Sequence, residues 1–563
     1  MKNLSNPVNL ILFSAIVAMY LALSLYQIDL PGLHYDEAFE AVPAVQILQG
    51  QPTTVFRESG LRIGGQVYPL MTQDYIGAIN TYLAIPFIIL FGPTPAALRV
   101  MSVLVGVVTL GLSYLLAYHL TGARWVGLVA SVILATDPTF VFWNRQGVFV
   151  TAVTAPIALA AVLCWLQRWR SGQWRWSIFG AFLFGLGLYA KVLFLWMIAA
   201  LTASTLVLSL PWLIHQRSNL IHLITKKKTL LELALALLAF VIGCWPLIVY
   251  NIQTGGTLSS VSENAFTSYY GVNNLAIIPN LIERFSQFIT VITGGHLWYL
   301  GDIATNWVTP LLLGVVVIFV VITTIRNKLI RSNAQKIPPH KIALFPIFVV
   351  IFVILASIGT VSALWVTHFA ILMPWTALVI AVGSWFLLMA IDTLPRFKTP
   401  ARLFVWLGII LLVVTNLSVT LRYHAALTKS GGLSTHSDAI YDLSDWLHNN
   451  AKGLVVAMDW GLAAPITYLT NGQVTPVEVF GYGWQSDVQL LERLNGFIAQ
   501  PEALYLWRAP DEIIFDRSNE FKALYRSQNL EETIEEAFYE KSGRPILGVT
   551  RLVIIGTASN PPQ

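Results

Sequence analysis

A histidine, an aromatic ring and two adjacent carboxylates, His34-Tyr35-Asp36-Glu37, follow directly on the first long apolar run of the chain. A carboxylate can take a proton from a hydroxyl or balance a cation. Two side by side at a membrane surface are costly unless water or a partner holds them. Two readings of the pair stand. They are solvated loop acids, with the first turn of a helix as a place where negative charge is favoured, or they belong to a polar site. Further along the chain Arg99, Arg145, Lys191 and His368 each stand at the edge of an apolar run. Singly, each reads as a long side chain reaching for headgroups. Together they form a set of cations and imidazole suited to an anion such as phosphate, arginine through its planar fork and lysine as a point charge.

The elements that must position these residues are membrane helices. The 563 residues are 56% hydrophobic and 11% charged, against about 25% charged in soluble chains. Apolar runs near 8–27, 97–118, 126–143, 148–167, 177–189, 192–213, 230–250, 306–325, 342–361, 365–391 and 403–421 approach the roughly 20 residues that cross a bilayer core. They predict an α-helical polytopic membrane protein of about eleven transmembrane helices. Ile76–Phe91 is shorter and broken by Pro86, which reads as a helix at the interface. The first run lacks a small-residue cleavage site and reads as a retained span. Cys164 and Cys244 lie inside apolar runs and form no disulfide or metal framework.

Basic residues orient the bundle. Arg124; Arg168, Arg170 and Arg175; Arg217 with Lys226, Lys227 and Lys228; Arg326, Lys328, Arg331, Lys336 and Lys341; and Arg396, Lys398 and Arg402 fall on one side with Lys2, facing a single loop acid, Asp392. That side reads as cytoplasmic, and the triple lysine as facing anionic lipid. The acidic first loop, 28–75, a second loop, 251–305, and the tail from 422 are then extracytoplasmic. Two domains follow: a transmembrane unit over 1–421 and a soluble α/β unit over 422–563. The tail alternates helices at 437–449, 463–470, 486–497 and 530–540 with strands at Leu454–Met458 and Arg551–Ile555. On this orientation Asp36, Glu37, Arg99, Arg145, Lys191 and His368 share the outer boundary, against the positive-inside bias. That placement converts the set into one pocket for a phosphate-bearing lipid beside a proton acceptor.

With the order of its motifs the chain resembles the C-superfamily of glycosyltransferases, within it the protein O-mannosyltransferase and lipid A aminoarabinose transferase group. The resemblance runs over about residues 1–390. It is carried by Asp36-Glu37, Tyr75-Ile76-Gly77-Ala78, Phe91-Gly92, Ala97-Leu98-Arg99-Val100, Trp143-Asn144-Arg145, Gly187 to Lys191, Gly243-Cys244-Trp245-Pro246 through Tyr250-Asn251, and His368 to Pro374. It implies an inverting, mannosyltransferase-like enzyme of the inner membrane and cell envelope. Such an enzyme moves a monosaccharide from a polyprenyl-phosphate donor to a lipid, glycan or protein acceptor. It also implies Asp36 as general base, Glu37 supporting the pocket through Arg99, and Lys191, Arg145 and His368 on the donor phosphate. An activated phosphate leaving group calls for no metal or other cofactor, although a divalent metal stays open. The sequence departs from the group at Val150, where an aspartate is common five residues after the arginine. It departs again at Thr72-Gln73-Asp74-Tyr75, where mannosyltransferases carry His-Pro-Pro.

Other residues stay open between bland and functional readings. His34, Tyr35 and Asp74 flank the pair, and His296, Trp298 and Asp302 lie in the second loop, where aromatic rings serve a sugar face or the interfacial belt. Asp137-Pro138 reads as a helix terminator. No nucleotide-binding glycine loop, metalloprotease motif or nucleic-acid-binding feature is present. A secondary transporter is the main alternative; it calls for repeats and broken helices at the bilayer midplane. An O-antigen ligase-like transferase and a non-catalytic scaffold for the tail are further alternatives.

Overall fold

The computed structural model describes residues 7–215, 227–326, 337–392, 398–479, 487–500 and 502–555. Lys2, Arg217, Lys226, Lys328, Arg331, Lys336 and Arg396, all used to orient the bundle, lie outside the described residues.

Apolar sequence with few charges becomes helix almost throughout, because a backbone in hydrocarbon must satisfy its own hydrogen bonds. In chain order the helices are α1 (Pro7–Leu25), α2 (Tyr35–Leu48), α3 (Ile79–Phe91), α4 (Pro95–Thr121), α5 (Arg124–Thr136), α6 (Pro138–Arg145), α7 (Thr154–Ser171), α8 (Arg175–Ala190) and α9 (Leu195–His215). There follow α10 (Lys227–Thr254), α11 (Gly256–Glu263), α12 (Ile277–Thr293), α13 (Val308–Arg326), α14 (Pro339–Ala356), α15 (Met373–Ile391) and α16 (Lys398–Ser430). Among the described residues, eight segments are long and apolar enough to cross a membrane, or nine if the bent pair α5 and α6 is one span. The expected spans at 148–167 and 177–189 correspond to α7 and the short α8.

Local chemistry sets the breaks. Thr94 caps α4 by accepting from the Ala97 N–H at 3.4 Å, with Pro95 opening the helix, where a missing N–H costs nothing. Asp137 ends α5 and caps α6, accepting from the Phe140 N–H at 2.9 Å; the two axes differ by 66°. The tenth expected span opens as a tight turn over Val366–Leu372 before α15. Helix α15 is apolar on all sides and buried throughout by its neighbours, as a central helix should be.

The basic connections gather at one end. Arg168 pairs with Glu232 at 2.6 Å, Arg170 meets the His119 ring at 2.9 Å, and Lys341 donates to the Leu208 carbonyl at 2.6 Å. At the opposite end Asn80, in the first turn of α3, donates to Glu40 of α2 at 2.8 Å. Thr94, just past the end of α3, accepts from Tyr468 of the tail at 3.0 Å. Helix α3, at 13 residues, is shorter than the eight span-length segments, and its two ends are tied to α2 and to the tail.

The first loop adds two short hairpins, β1 (Leu61–Ile63) with β2 (Gln66–Tyr68) and β3 (Met71–Gln73) with β4 (Ile76–Gly77). The tail folds as an α/β layer. Its sheet has strand order β6-β5-β7-β9-β8, from β5 (Val455–Ala457), β6 (Val477–Glu478), β7 (Leu504–Arg508), β8 (Leu530–Tyr539) and β9 (Pro545–Ile554). Helices α17 (Ala439–Asn450), α18 (Ala463–Leu469), α19 (Asp487–Ile498) and α20 (Ser518–Ser527) complete it. Two expectations are corrected. The segment 530–540, glutamate-rich and expected as helix, is edge strand β8 paired antiparallel with β9. Its charges keep an exposed edge from recruiting other strands. The last span also runs on beyond 421, as α16 continues to Ser430.

Helices α8 and α10 pack through glycine. A Cβ on Gly185 would lie 2.1 Å from the Phe240 carbonyl oxygen, and one on Gly243 would lie 2.2 Å from that of Phe182. Such closeness is how membrane helices gain packing where no hydrophobic driving force acts between them. Gly243→Leu is expected to destabilise the bundle by roughly 1–3 kcal/mol through overpacking. Gly314→Leu, with nothing within 4 Å, should leave the thermal unfolding midpoint in detergent unchanged.

Candidate active site

Helix α2 begins the site. His34 is its N-cap: the ring Nδ1 accepts from the Asp36 N–H at 3.1 Å, so the imidazole is neutral and its 3.9 Å approach to the Asp36 carboxylate is no ion pair. Burial, with Arg508 nearby, holds His34 down to about 3. Asp36 and Glu37 then occupy the first turn, where free backbone N–H groups favour negative charge.

The two carboxylates have opposite fates. Glu37 is fully buried and clasped by Arg99, with Nε to Oε2 at 3.1 Å and Nη2 to Oε1 at 3.2 Å. Gln146 Nε2 also donates to Oε1 at 2.8 Å. Arg99 spends its remaining reach on the carbonyls of Ile28, at 2.9 Å, and Gly32, at 3.5 Å. Arg99, a candidate both for the donor phosphate and for the support of Glu37, is paired with Glu37 and pins α2 to the loop before it. Asp36 keeps 37% of its side chain exposed. Burial of its surroundings lifts it to about 6, against the lowering pull of Lys191 and with a smaller raising push from Glu37.

Lys191 stands where α8 ends and the chain turns into α9. Hairpin β3-β4 holds it there: Val192 donates its N–H to the Tyr75 carbonyl at 2.8 Å, and Ile76 bridges Lys191 along the backbone. The ammonium faces Glu40 and Asp36 within electrostatic reach, and burial brings it down to about 8. Among the described residues no carboxylate oxygen lies within 4 Å of it. Glu40, one helical turn beyond Asp36, is buried, accepts from Asn80 at 2.8 Å and is lifted by burial to about 8. His368 lies within electrostatic reach of Lys191, in edge contact with Trp196, with Ser362 Oγ 3.4 Å from Nε2 and Arg284 Nη2 3.5 Å from Nδ1.

The remaining expected residues spread out. Arg145 is buried against the carbonyls of Gln27 and Leu30, within electrostatic reach of Arg99 and Glu37. Asp74 ties the first loop to α10, accepting from Arg57 at 2.8 and 2.7 Å and from Tyr250 at 2.6 Å. His296 is packed on Trp143, while Trp298 and Asp302 are exposed; none of these three is brought to Asp36. Val150 is buried among apolar neighbours. Among the described residues no three His, Cys, Asp or Glu side chains converge as a metal-holding group.

The tail supplies what sequence reading missed. His436 stacks between His34, 4.3 Å away, and Tyr299, 4.1 Å away. Its Nδ1 lies 3.4 Å from the same Gln146 Nε2 that holds Glu37. Its carbonyl accepts the Gly32 N–H at 2.7 Å, and a Cβ on Gly32 would sit 2.0 Å from the Ser437 carbonyl oxygen, so only glycine fits. Tyr35 contacts Trp460 at 4.7 Å, beside the buried Arg508–Asp459 pair at 3.2 Å.

Residues 79–245 match the family model described as dolichyl-phosphate-mannose-protein mannosyltransferase. Among solved structures, ArnT from Cupriavidus metallidurans bound to undecaprenyl phosphate aligns with a TM-score of 0.55 at 12% identity, covering 99% of this chain and 100% of that one. ArnT from the same organism in the apo state gives 0.57 at 11% identity, covering 96% and 97%. No curated protein matches the chain. The chain is an integral membrane protein with the fold of the C-superfamily glycosyltransferases, the group its motifs resemble.

Removing one side of a buried ion pair strands the other. Arg99→Met should therefore cost about 3–5 kcal/mol of stability, read as a lower unfolding midpoint and lower yield. Arg99→Met combined with Glu37→Leu should recover part of the midpoint, since no charge is then left buried alone.

Proposed function

We propose that the chain is a membrane glycosyltransferase that moves a monosaccharide from a polyprenyl-phosphate donor to an acceptor hydroxyl on the extracytoplasmic face. The observation that carries this reading is the division of labour in α2: Glu37 is locked in an ion pair, and Asp36 is open within electrostatic reach of a buried lysine that has no carboxylate oxygen within 4 Å among the described residues. The ArnT structure with undecaprenyl phosphate supports a lipid-linked donor, and the mannosyltransferase-type match over 79–245 supports transfer of a sugar.

In the proposed step Asp36 takes the proton of the acceptor hydroxyl while the oxygen attacks the anomeric carbon. The bond from that carbon to the phosphate oxygen breaks, and the polyprenyl phosphate leaves with the electron pair. Lys191 faces the charge that develops on the phosphate, and His368 extends the same polar wall. The leaving group needs no protonation, so one base is enough and a single displacement inverts the anomeric centre. A carboxylate near 6 suits that role, since a base works best when its pKa lies close to working pH. Burial next to a cation that limits the rise delivers such a value. A transporter is not favoured, because the ionisable residues that converge do so at the helix ends around α2, while Asp137 at the bend between α5 and α6 serves as a helix cap.

The basic end of the bundle would face the cytoplasm and the tail the outside. A cysteine-accessibility map that labels a cysteine at position 36 only from the cytoplasm would reverse this.

With radiolabelled polyprenyl-phosphate sugars, Asp36→Asn should lower transfer by about 10²–10⁴-fold at an unchanged unfolding midpoint; equal transfer by both proteins would sink the assignment. The rate should be bell-shaped in pH. It should fall as Asp36 is protonated below about 6 and fall again as Lys191 loses its charge above about 8. Lys191→Met removes the charge that pulls Asp36 down. Its acid limb should therefore move to higher pH and its donor KM should rise.

A further inference from the structure

Helix α2 presents a second face that this chemistry leaves unused. At 100° per residue, Asp36 and Glu40 form one row, towards Lys191, and Tyr35, Phe39 and Pro43 form the next. That second row is one wall of a cleft of about 410 Å³ between the first loop and helix α18 of the tail. The volume lies in the range of small-molecule sites, and the cleft begins at the residue next to Asp36.

Its lining is mostly apolar, with a minority of rings and hydroxyls. Tyr35 and Phe39 stack on one another at 5.3 Å, and Phe56 adds a third ring. Thr72, Thr467 and Thr475 bring hydroxyls. Two of these give their proton to backbone, Thr72 to the Ile76 carbonyl at 3.3 Å and Thr467 to that of Ala463 at 2.8 Å, so towards a ligand they can act only as acceptors. The charged lining residues are Arg57 and Glu478, and each is engaged: Arg57 by Asp74 and Glu478 by the Gly461 N–H. Ring edges and aliphatic surface with hydroxyl acceptors, the two charged side chains being engaged, match a ligand with apolar C–H faces and many O–H donors. They do not match a phosphate or a carboxylate.

We infer that this cleft is a subsite for a neutral saccharide, the acceptor whose hydroxyl is presented to Asp36; the inference rests on the transfer reading above. The ring at the Tyr35 end sits around one edge of α2 from the carboxylate, while the donor phosphate meets Lys191 on the other row. One helix thus serves two substrates on adjacent faces. The tail closes the acceptor side.

The test uses the full chain in nanodiscs and saturation-transfer NMR with neutral gluco-, manno- and arabinotriosides. At least one should bind. Thr475→Trp, exposed at the cleft and outside the folded core, should weaken binding about tenfold or more, near 1.4 kcal/mol, and Gly314→Leu, remote from the cleft, should leave it within about twofold. Failure of all three triosides to bind, or binding unaffected by Thr475→Trp, overturns the subsite. So does transfer to an anionic glycolipid or a hydroxyl-bearing peptide that Thr475→Trp leaves intact. Cleavage of the labelled donor without acceptor reports separately. Asp36-dependent cleavage without trioside binding removes only the cleft assignment, whereas trioside binding without any donor cleavage removes the transfer reading.

Discussion

The buried pair of Arg99 and Glu37 is the constraint on which the rest of the outer end depends. Two charges removed from water must be matched closely, and here the match is a two-pronged contact completed by Gln146 and by two loop carbonyls. Because α4 carries Arg99 and α2 carries Glu37, the contact fixes where α2 starts and how it is rotated. Rotation in turn decides which side of α2 Asp36, Glu40 and Tyr35 occupy. A structural ion pair next to an open carboxylate divides two identical functional groups by environment alone, one made inert by its partners and the other left available.

The polar end is also stitched together by rings. Tyr299, His436 and His34 form a column from the second loop through the tail to the cap of α2. Neutral imidazoles suit this position: His34 must leave Nδ1 unprotonated to cap the helix, and burial disfavours charging either ring. The tail is therefore part of the wall around Asp36 rather than an appended module, and its loop approaches so closely that Gly32 has no room for a side chain.

The parts legible in the sequence were those with a local signature. Apolar runs gave the long helices, and the interrupted run at 76–91 forms the short helix α3. Asp36-Glu37 stood out because two adjacent acids at an interface are chemically costly. Gln146 and His436 carried no such mark: they meet across 290 residues, and neither stands in an unusual local pattern. Glu40 was in view only as one acid of a loop, since its burial depends on Asn80 of another helix. Arg99 was visible as an outer cation, but whether it holds a ligand or a carboxylate depends on geometry. The strand at 530–539 was misread because glutamate favours helices locally, while pairing with β9 decides the outcome.

Sequence order gives the ring column a temporal meaning. The wall around Asp36 needs a residue made long after the spans that cradle the cation, so a nascent chain still awaiting its last quarter has helices and acids but an unfinished chamber. Products that end before His436 would keep the His34 cap of α2 but lack the ring that stacks on it.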